Sequence, residues 1–247
     1  MERWPNGSLV GTLSAASRDA LLKLGAGTVY TPGRRIIAEG EGTTFVVLIV
    51  AGCVKITGRL DDGREGLLAI RVRGDLVGEL AAFDGRPRSA SVVACGVLRG
   101  RVITQGDLLY YLRTHPDANL AVGRMLGERL RQTIRRRLDF VGCDAPIRIA
   151  RILVEIVETY GRPTPDGIRS GVRLAQHELA TLSGTSLETV ERILHLLRTE
   201  GIVTTAYREF TVVNLEALQN FAHLGAYALY HAHAGSIPSH AGEIIRF

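Results

Sequence analysis

The 247 residues, 46% apolar and 22% charged, are enough for two packed domains and rule out a disordered or collagen-like chain. A net charge of +5 permits an anionic partner such as nucleic acid or a phosphorylated ligand without requiring one. Three cysteines, Cys53, Cys95 and Cys143, lie far apart with no C-x-x-C pair, which argues against a zinc clip or a disulfide framework and makes a reducing cytoplasm the default.

The opening MERWPNGSLVGTLS has no charged-then-apolar signal pattern, and the longest apolar run, Phe45 to Gly52, is far short of a membrane span, so neither export nor a membrane is expected. Residues 14–25 predict a short amphipathic helix with Ala15, Leu21, Leu22 and Leu24 on its apolar side. GAGTVY at 25–30 imitates a dinucleotide loop but lacks the last glycine and precedes a strand. From Val29 to Ile103 the pattern turns to brief β-rich runs punctuated by glycine: RRIIAEG, FVVLIVAGCVKITG, LLAIRVRGD, RSASVVACG and VLRGRVI. Short strands at such spacing predict a sandwich or barrel.

Past Asp107 the period becomes helical. Val122, Leu126, Leu130, Ile134, Leu138 and Val141 place one apolar stripe along a helix from about Asp117 to Val141. Such a helix either outruns the domain behind it and offers its stripe as a dimer seam, or lies wholly on its own domain; the pattern alone does not choose. Residues 1–120 carry a net charge of +3, residues 121–150 of +4 and residues 151–247 of −2. The basic excess therefore sits on this helix, at Arg124, Arg129, Arg131, Arg135, Arg136 and Arg137. Asp144 is the expected N-cap of the next helix, with Pro146 in its first turn and Ile149, Ile152, Leu153, Ile156, Val157 and Tyr160 as its buried face. It begins a second domain. Residues 161–171, GRPTPDGIRSG, read as a loop.

From Gln176 to His195 the sequence QHELATLSGTSLETVERILH reads as a helix, a break at Ser183-Gly184 and a second helix. Small Ala180 lets the helices approach, Gly184 supplies the turn, and Val190, Ile193, Leu194 and Leu197 face inward. Thr185 to Glu188 fits an S/T-x-x-E capping box, and IVTTAYREFTVV after Gly201 reads as a two-stranded wing. The exposed face of the second helix carries Leu187, Glu188, Glu191, Arg192 and His195. Arg192 can donate to O6 and N7 of guanine and Glu188 can accept from N4 of cytosine. The alternative is a surface Glu188–Arg192 pair at i+4, worth about 0.3–0.5 kcal/mol; the position of both residues at the start of a second helix favours DNA.

In residues 74–94, GDLVGELAAFDGRPRSASVVA, Gly78-Glu79-Leu80-Ala81 reads as a strand turning into one helical turn whose free N–H groups suit a phosphate. Arg88 and Ser89 can complete the cradle, and Glu79 makes sense if the ligand also presents a ribose hydroxyl. A plain surface loop with a Glu79–Arg88 salt bridge is the other reading.

The stretch GDLVGELAAFDGRPRSA resembles the phosphate-binding cassette of the cyclic-AMP receptor protein family, also called the catabolite activator and FNR superfamily. The order of β-rich domain, long helix and winged helix-turn-helix is similar from about Leu13 to Val213. The resemblance implies an α+β fold: a β-roll (jelly-roll) cyclic-nucleotide-binding domain at 1–116, a dimerisation helix and hinge at 117–143, a winged helix-turn-helix at 144–214 and a helical extension at 215–247. It implies that Gly78, Glu79, Leu80, Arg88 and Ser89 hold the cyclic phosphate and ribose of cyclic AMP and that Thr133 meets the base. Members that bind cyclic AMP usually carry serine after that threonine, where this chain has Ile134. Another cyclic nucleotide, or none, is therefore an alternative. The resemblance also implies DNA contact from Thr185, Ser186, Leu187, Glu188, Thr189 and Arg192, a roughly palindromic double-stranded operator, and a homodimer joined through the long helix. Leu187 replaces a frequent arginine, so half-site preference should be only partly shared. The turn Thr164-Pro165-Asp166-Gly167 resembles the surface by which relatives touch the RNA polymerase α subunit.

With no cysteine before Cys53 and no histidine in the β-rich stretch, an iron–sulfur or haem sensor is not expected. A nucleotide-controlled interaction protein without DNA contact is the second class considered, and an enzyme the third. The latter lacks a P-loop, HExxH or GxSxG. In the tail, His223, His231, His233 and His240 crowd together, and Leu215, Leu218, Phe221, Ala222 and Leu229 give an apolar helical side; a solvated or dimer-packed segment is expected there rather than a metal site.

Overall fold

The computed structural model describes residues 4, 5 and 7–224. Three short hydroxyl-capped helices frame the first domain. Ser8 accepts from the Gly11 N–H to start α1 (Leu9–Thr12), Ser14 from Ser17 to start α2 (Ala15–Lys23), and, past the strands, Thr104 from Asp107 to start a third helix. On α2, Leu21 is buried while Ala15 faces solvent.

The strands are β1 (Ala26–Tyr30), β2 (Arg35–Ile37), β3 (Val46–Ala51), β4 (Cys53–Arg59), β5 (Glu65–Val72), β6 (Leu76–Val77), β7 (Ser91–Ala94) and β8 (Leu98–Ile103), with α3 (Glu79–Asp84) between β6 and β7. They form two antiparallel four-stranded sheets, ordered β1-β8-β3-β6 and β2-β7-β4-β5. Alternation along β3 shows how the sequence builds both sides: Val47 and Ile49 enter the core between the sheets, while Val46 and Leu48 face the helices. The whole of β1 lies within the GAGTVY segment, which therefore forms a strand rather than preceding one.

Helix α4 (Gln105–Thr114) leads into α5 (Pro116–Gly142), which carries the predicted stripe. The stripe divides in two. Val122 is buried and Leu126 packs on the helical core of the first domain, whereas Leu130, Ile134, Leu138 and Val141 are 61%, 50%, 63% and 74% exposed. Each such side chain left in water forgoes about 1.5–3 kcal/mol of burial.

The second domain starts at α6 (Ala145–Tyr160), whose N-cap residue is Asp144 and whose first turn holds Pro146. Residues 161–171 are not a plain loop: β9 (Arg162–Thr164) and β10 (Gly167–Arg169) form a hairpin. Proline and glycine mark its ends, and its strandness comes from pairing Ile168 with Val212 of the distant wing. Then come α7 (Gln176–Ser183), α8 (Leu187–Thr199), the wing β11 (Val203–Ala206) and β12 (Glu209–Val212), and α9 (Leu215–Phe221), with sheet order β11-β12-β10-β9. Gly184 ends α7 at φ +60°, and Val190, Ile193, Leu194 and Leu197 are buried as the spacing predicts. The cap of α8 lies one residue past the expected Thr185: Ser186 accepts from the Thr189 N–H at 3.2 Å. The start of the tail packs on its own domain, with Leu218 and Ala222 fully buried and Arg151 Nε donating to the Ala222 carbonyl. His231, His233, His240 and Leu229 lie outside the described residues.

The two domains share a seam. Leu67 and Ile70 of β5 join the apolar core of the winged domain. Around them the Leu67 N–H donates to Thr181 Oγ1 (3.0 Å), the Tyr160 hydroxyl to the Ile70 carbonyl (2.9 Å), and Lys55 Nζ to both carboxylate oxygens of Glu178 (2.6 and 2.5 Å).

Candidate functional site

A cavity of about 470 Å³ opens between the sandwich and α5, within the usual size of small-molecule pockets. Gly78, Glu79, Leu80, Arg88 and Ser89 line it from the β-domain, and Leu126, Arg129, Leu130 and Thr133 line it from α5. All six residues predicted to hold a nucleotide thus border one space, though Ser89, Leu80 and Thr133 stand at its exposed side.

Gly78 caps α3 at φ +83°, a conformation side chains rarely adopt. A Cβ there would sit 2.8 Å from Arg88 Nη1 and 3.0 Å from the Phe45 carbonyl. The glycine is what lets the arginine pass behind the turn. Arg88 is 3% exposed and donates Nε to Thr43 Oγ1 (3.1 Å), Nη1 to the Gly78 carbonyl (2.7 Å) and Nη2 to the Phe45 carbonyl (2.6 Å). Three of its five N–H groups are spent, which leaves one on each terminal nitrogen. Burial pulls its pKa down from the ordinary guanidinium value, against the pull of Glu41 and Glu79.

Glu79 does not pair with Arg88. Its carboxylate takes Arg129 Nη1 of α5, while Arg129 Nη2 donates to the Leu76 carbonyl at 2.9 Å. The cause is reach: Arg88 points behind Gly78, and Arg129 comes down from the helix above. Arg71 also lines the cavity, donating to the Ile70 carbonyl (2.8 Å), and burial lowers its pKa with Arg129 adding to the effect. Three guanidinium groups and one carboxylate therefore face this space, an excess of positive charge that suits an anion. Arg71 and Arg129 belong to no motif; only the basic excess on the long helix hinted at the second. Thr133 Oγ1 donates to the Arg129 carbonyl at 3.0 Å, so its oxygen keeps lone pairs free.

On the second domain, Ser186, Leu187, Glu188 and Arg192 are exposed, and Thr185 and Thr189 half-buried. Among the described residues no ion pair joins Glu188 to Arg192. Both residues line an open groove, together with Gln176, Glu191, His195 and Arg198. The wing adds two residues that the sequence did not single out. Tyr207, 81% exposed, and Arg208, at φ +57°, form the tip of the β11–β12 turn beside Leu187 and Glu191. A β-turn is legible from sequence; its position against α8 is not. Of the basic side chains on α5, Arg129, Arg131 and Arg136 are held by Glu79, Glu128 and Glu155, while Arg124, Arg135 and Arg137 are exposed.

Among the described residues no group of His, Cys, Asp or Glu is arranged to hold a metal, and no helix is long and apolar enough to cross a membrane.

Comparison with known proteins gives the following. The family model of the cyclic nucleotide-binding domain matches residues 28–115, and that of the Crp-like helix-turn-helix domain matches residues 147–221. A CRP-like cAMP-activated global transcriptional regulator of Mycobacterium tuberculosis is 34% identical over 165 residues, 67% of this chain and 74% of that protein. The cyclic AMP receptor protein of Thermus thermophilus is 31% identical over 176 residues, 71% of this chain and 78% of that protein. The solved structure of a CooA mutant from Carboxydothermus hydrogenoformans superposes with a TM-score of 0.70 at 21% identity, covering 89% of this chain and 98% of that one, which shows a shared fold.

Proposed function

The chain belongs to the cyclic-AMP receptor protein and FNR family of transcription regulators, and from that premise we propose that it is a cytoplasmic, homodimeric DNA-binding regulator controlled by a cyclic nucleotide, with cyclic AMP as its ligand. One observation carries the reading: buried Arg88, with two N–H groups left over, lines a cavity whose other wall is α5. A cyclic phosphate supplies the acceptors those donors lack, with the Ser89 hydroxyl beside them. Glu79, held by Arg129 through one oxygen, keeps the other for a ribose hydroxyl. Thr133 lines the same cavity from α5 and is the residue we assign to the base.

The same helix supports a route from ligand to DNA. Arg129 and Thr133 touch the cavity, the exposed stripe from Leu130 to Val141 follows at once, and α6 of the winged domain begins three residues after α5 ends. We assign that stripe as the homodimer seam, which would cover it and set the spacing of two recognition helices on a roughly palindromic operator. A shift of α5 on ligand binding would then change the angle at which Glu188 and Arg192 meet the major groove, with Thr185, Ser186, Leu187 and Thr189 at its rim. Leu187 offers no bidentate guanine contact. The exposed turn Pro165-Asp166 is the assigned contact for the RNA polymerase α subunit.

Calorimetric titration with cyclic AMP and cyclic GMP, paired with operator selection with and without each, tests the reading. Heat with cyclic AMP, and ligand-dependent DNA retention that Arg88→Leu abolishes, is the expected result. Undiminished affinity in Arg88→Leu would remove the cradle, and DNA binding indifferent to both nucleotides would leave a constitutive regulator.

A further inference from the structure

The folded chain brings together two cysteines that are 42 positions apart in sequence. The register of β4 on β7 pairs Val54 with Ala94, and one step further the Cys95 N–H donates to the Cys53 carbonyl at 3.0 Å. Directly opposed residues of an antiparallel pair hold their Cα atoms about 4.5–5.5 Å apart, inside the span of roughly 4.4–6.8 Å that disulfides occupy. Side chains of directly opposed residues leave the sheet on the same face. Both residues are free thiols, and both are half-buried, within reach of a small oxidant.

Their surroundings differ from those of the nucleotide cavity. Cys53 packs with Val72, Tyr160 and Ile168 against the core that unites β5 with the winged domain. Lys55, two residues along β4 and so on the same face, carries the ion pair to Glu178 of α7. The thiols influence each other directly: the hydrogen bond from Cys95 holds the Cys53 thiol below the ordinary thiol range, and the same contact together with burial pushes Cys95 up. Arg162 of β9 and Lys55 are the cations facing Cys53, and Lys55 and Glu178 the charges facing Cys95.

We propose that Cys53 and Cys95 are a peroxide-reactive dithiol site, and that closing it to a cross-strand disulfide loosens the seam between the β-domain and the winged helix. The Cys53 thiolate attacks one oxygen of hydrogen peroxide, the O–O bond breaks, and the departing hydroxide takes the proton Cys53 had released to become water. Cys53 is then a sulfenic acid. The Cys95 sulfur attacks the Cys53 sulfur, an S–S bond forms, and the sulfenic hydroxyl leaves with the Cys95 proton as a second water. Two thiols lose two electrons and two protons, and one peroxide becomes two waters. Drawing the two hydrogen-bonded sulfurs together into a bond of about 2.05 Å pulls Cys53 off the core on which it packs and tilts the strand that holds Lys55 against Glu178.

The full-length protein is treated with hydrogen peroxide, digested without reduction and mapped by mass spectrometry. Wild type and Cys143→Ser should yield a Cys53–Cys95 cross-linked peptide lacking two hydrogens, and Cys53→Ser and Cys95→Ser should not. In oxidised Cys143→Ser, deuterium exchange over Gln176–Ser183 and over Leu67–Ile70 should run several-fold faster and return to the reduced rate after a thiol reductant. Absence of that cross-link at peroxide doses that oxidise Cys143 would overturn the site. A complete cross-link with unchanged exchange at both segments would overturn its coupling to the seam. Neither nucleotide nor DNA enters the measurement, so the outcome is separate from that of the proposed function.

Discussion

The nucleotide-sized cavity and the face of the recognition helix use similar side chains in opposite states. In the cavity, Arg88 is fixed by three protein acceptors and Glu79 by Arg129 before any ligand arrives. On α8, Arg192 and Glu188 are exposed, and no ion pair joins them. A guanidinium buried at the cost of its hydration must be satisfied by the fold itself, so Arg88 is held in place and a ligand meets only the donors left over. Exposed side chains keep their rotamer freedom and lose it only on binding. The cavity is therefore where sequence changes should unfold the protein, and the reading face where they should change its partner and little else.

The sharpest challenge to that contrast is Gly78→Val. A non-glycine residue at φ +83° costs on the order of 1–3 kcal/mol, and the added atoms meet Arg88 and the Phe45 carbonyl as well. We expect a clear drop in melting temperature together with loss of nucleotide heat in calorimetry; an unshifted melt would show the turn to be soft. Arg192→Ala sits at the other pole. Operator affinity should fall by about 1–3 kcal/mol, with specificity relaxed at one position, while stability stays within about 0.5 kcal/mol of wild type. Equal losses on specific and random DNA in a filter-binding assay would make Arg192 a phosphate contact instead.

Between the poles lies Glu178→Gln, which removes the negative charge from the largely buried pair with Lys55 and should cost about 1–3 kcal/mol in urea unfolding. Its mark should be faster proteolysis of the winged domain with cavity affinity unchanged. The smallest effect concerns Asp75 behind the cavity. Burial raises its carboxyl above the ordinary 3.8, outweighing the Val72 N–H it accepts at 3.0 Å. A raised acid binds its proton more tightly in the folded state, so its contribution is complete below 3.8 and is lost as pH climbs through the folded value. Urea titrations at stepped pH should show Asp75→Asn lacking that decline; parallel curves for variant and wild type would refute the assignment.

What the sequence made legible is local. The strand-to-helix turn at Gly78, the break at Gly184 and the buried face of α8 follow from residue types at short spacing, and each stands where that spacing predicts. What stayed hidden needs the third dimension. Glu79 and Arg129 are fifty positions apart and meet only because α5 lies over the sandwich. Residues 161–171 looked like a loop because their proline and glycine content is visible locally, whereas the β12 strand that organises them is not. The stripe on α5 reads as uniform, yet Val122 and Leu126 are covered by their own domain and the four residues from Leu130 to Val141 are bare, a difference set by where the domain ends.

Of thirty basic side chains only Lys23 and Lys55 are lysines, and the second is the one that grips Glu178 across the seam. The scarcity turns Lys55 into a natural footprinting probe. An acylating reagent meets an exposed amine at Lys23 and one occupied by both oxygens of a carboxylate at Lys55. The ratio of the two labels in a single digest counts the fraction of molecules with their domains docked. No dye or added residue is needed for that count.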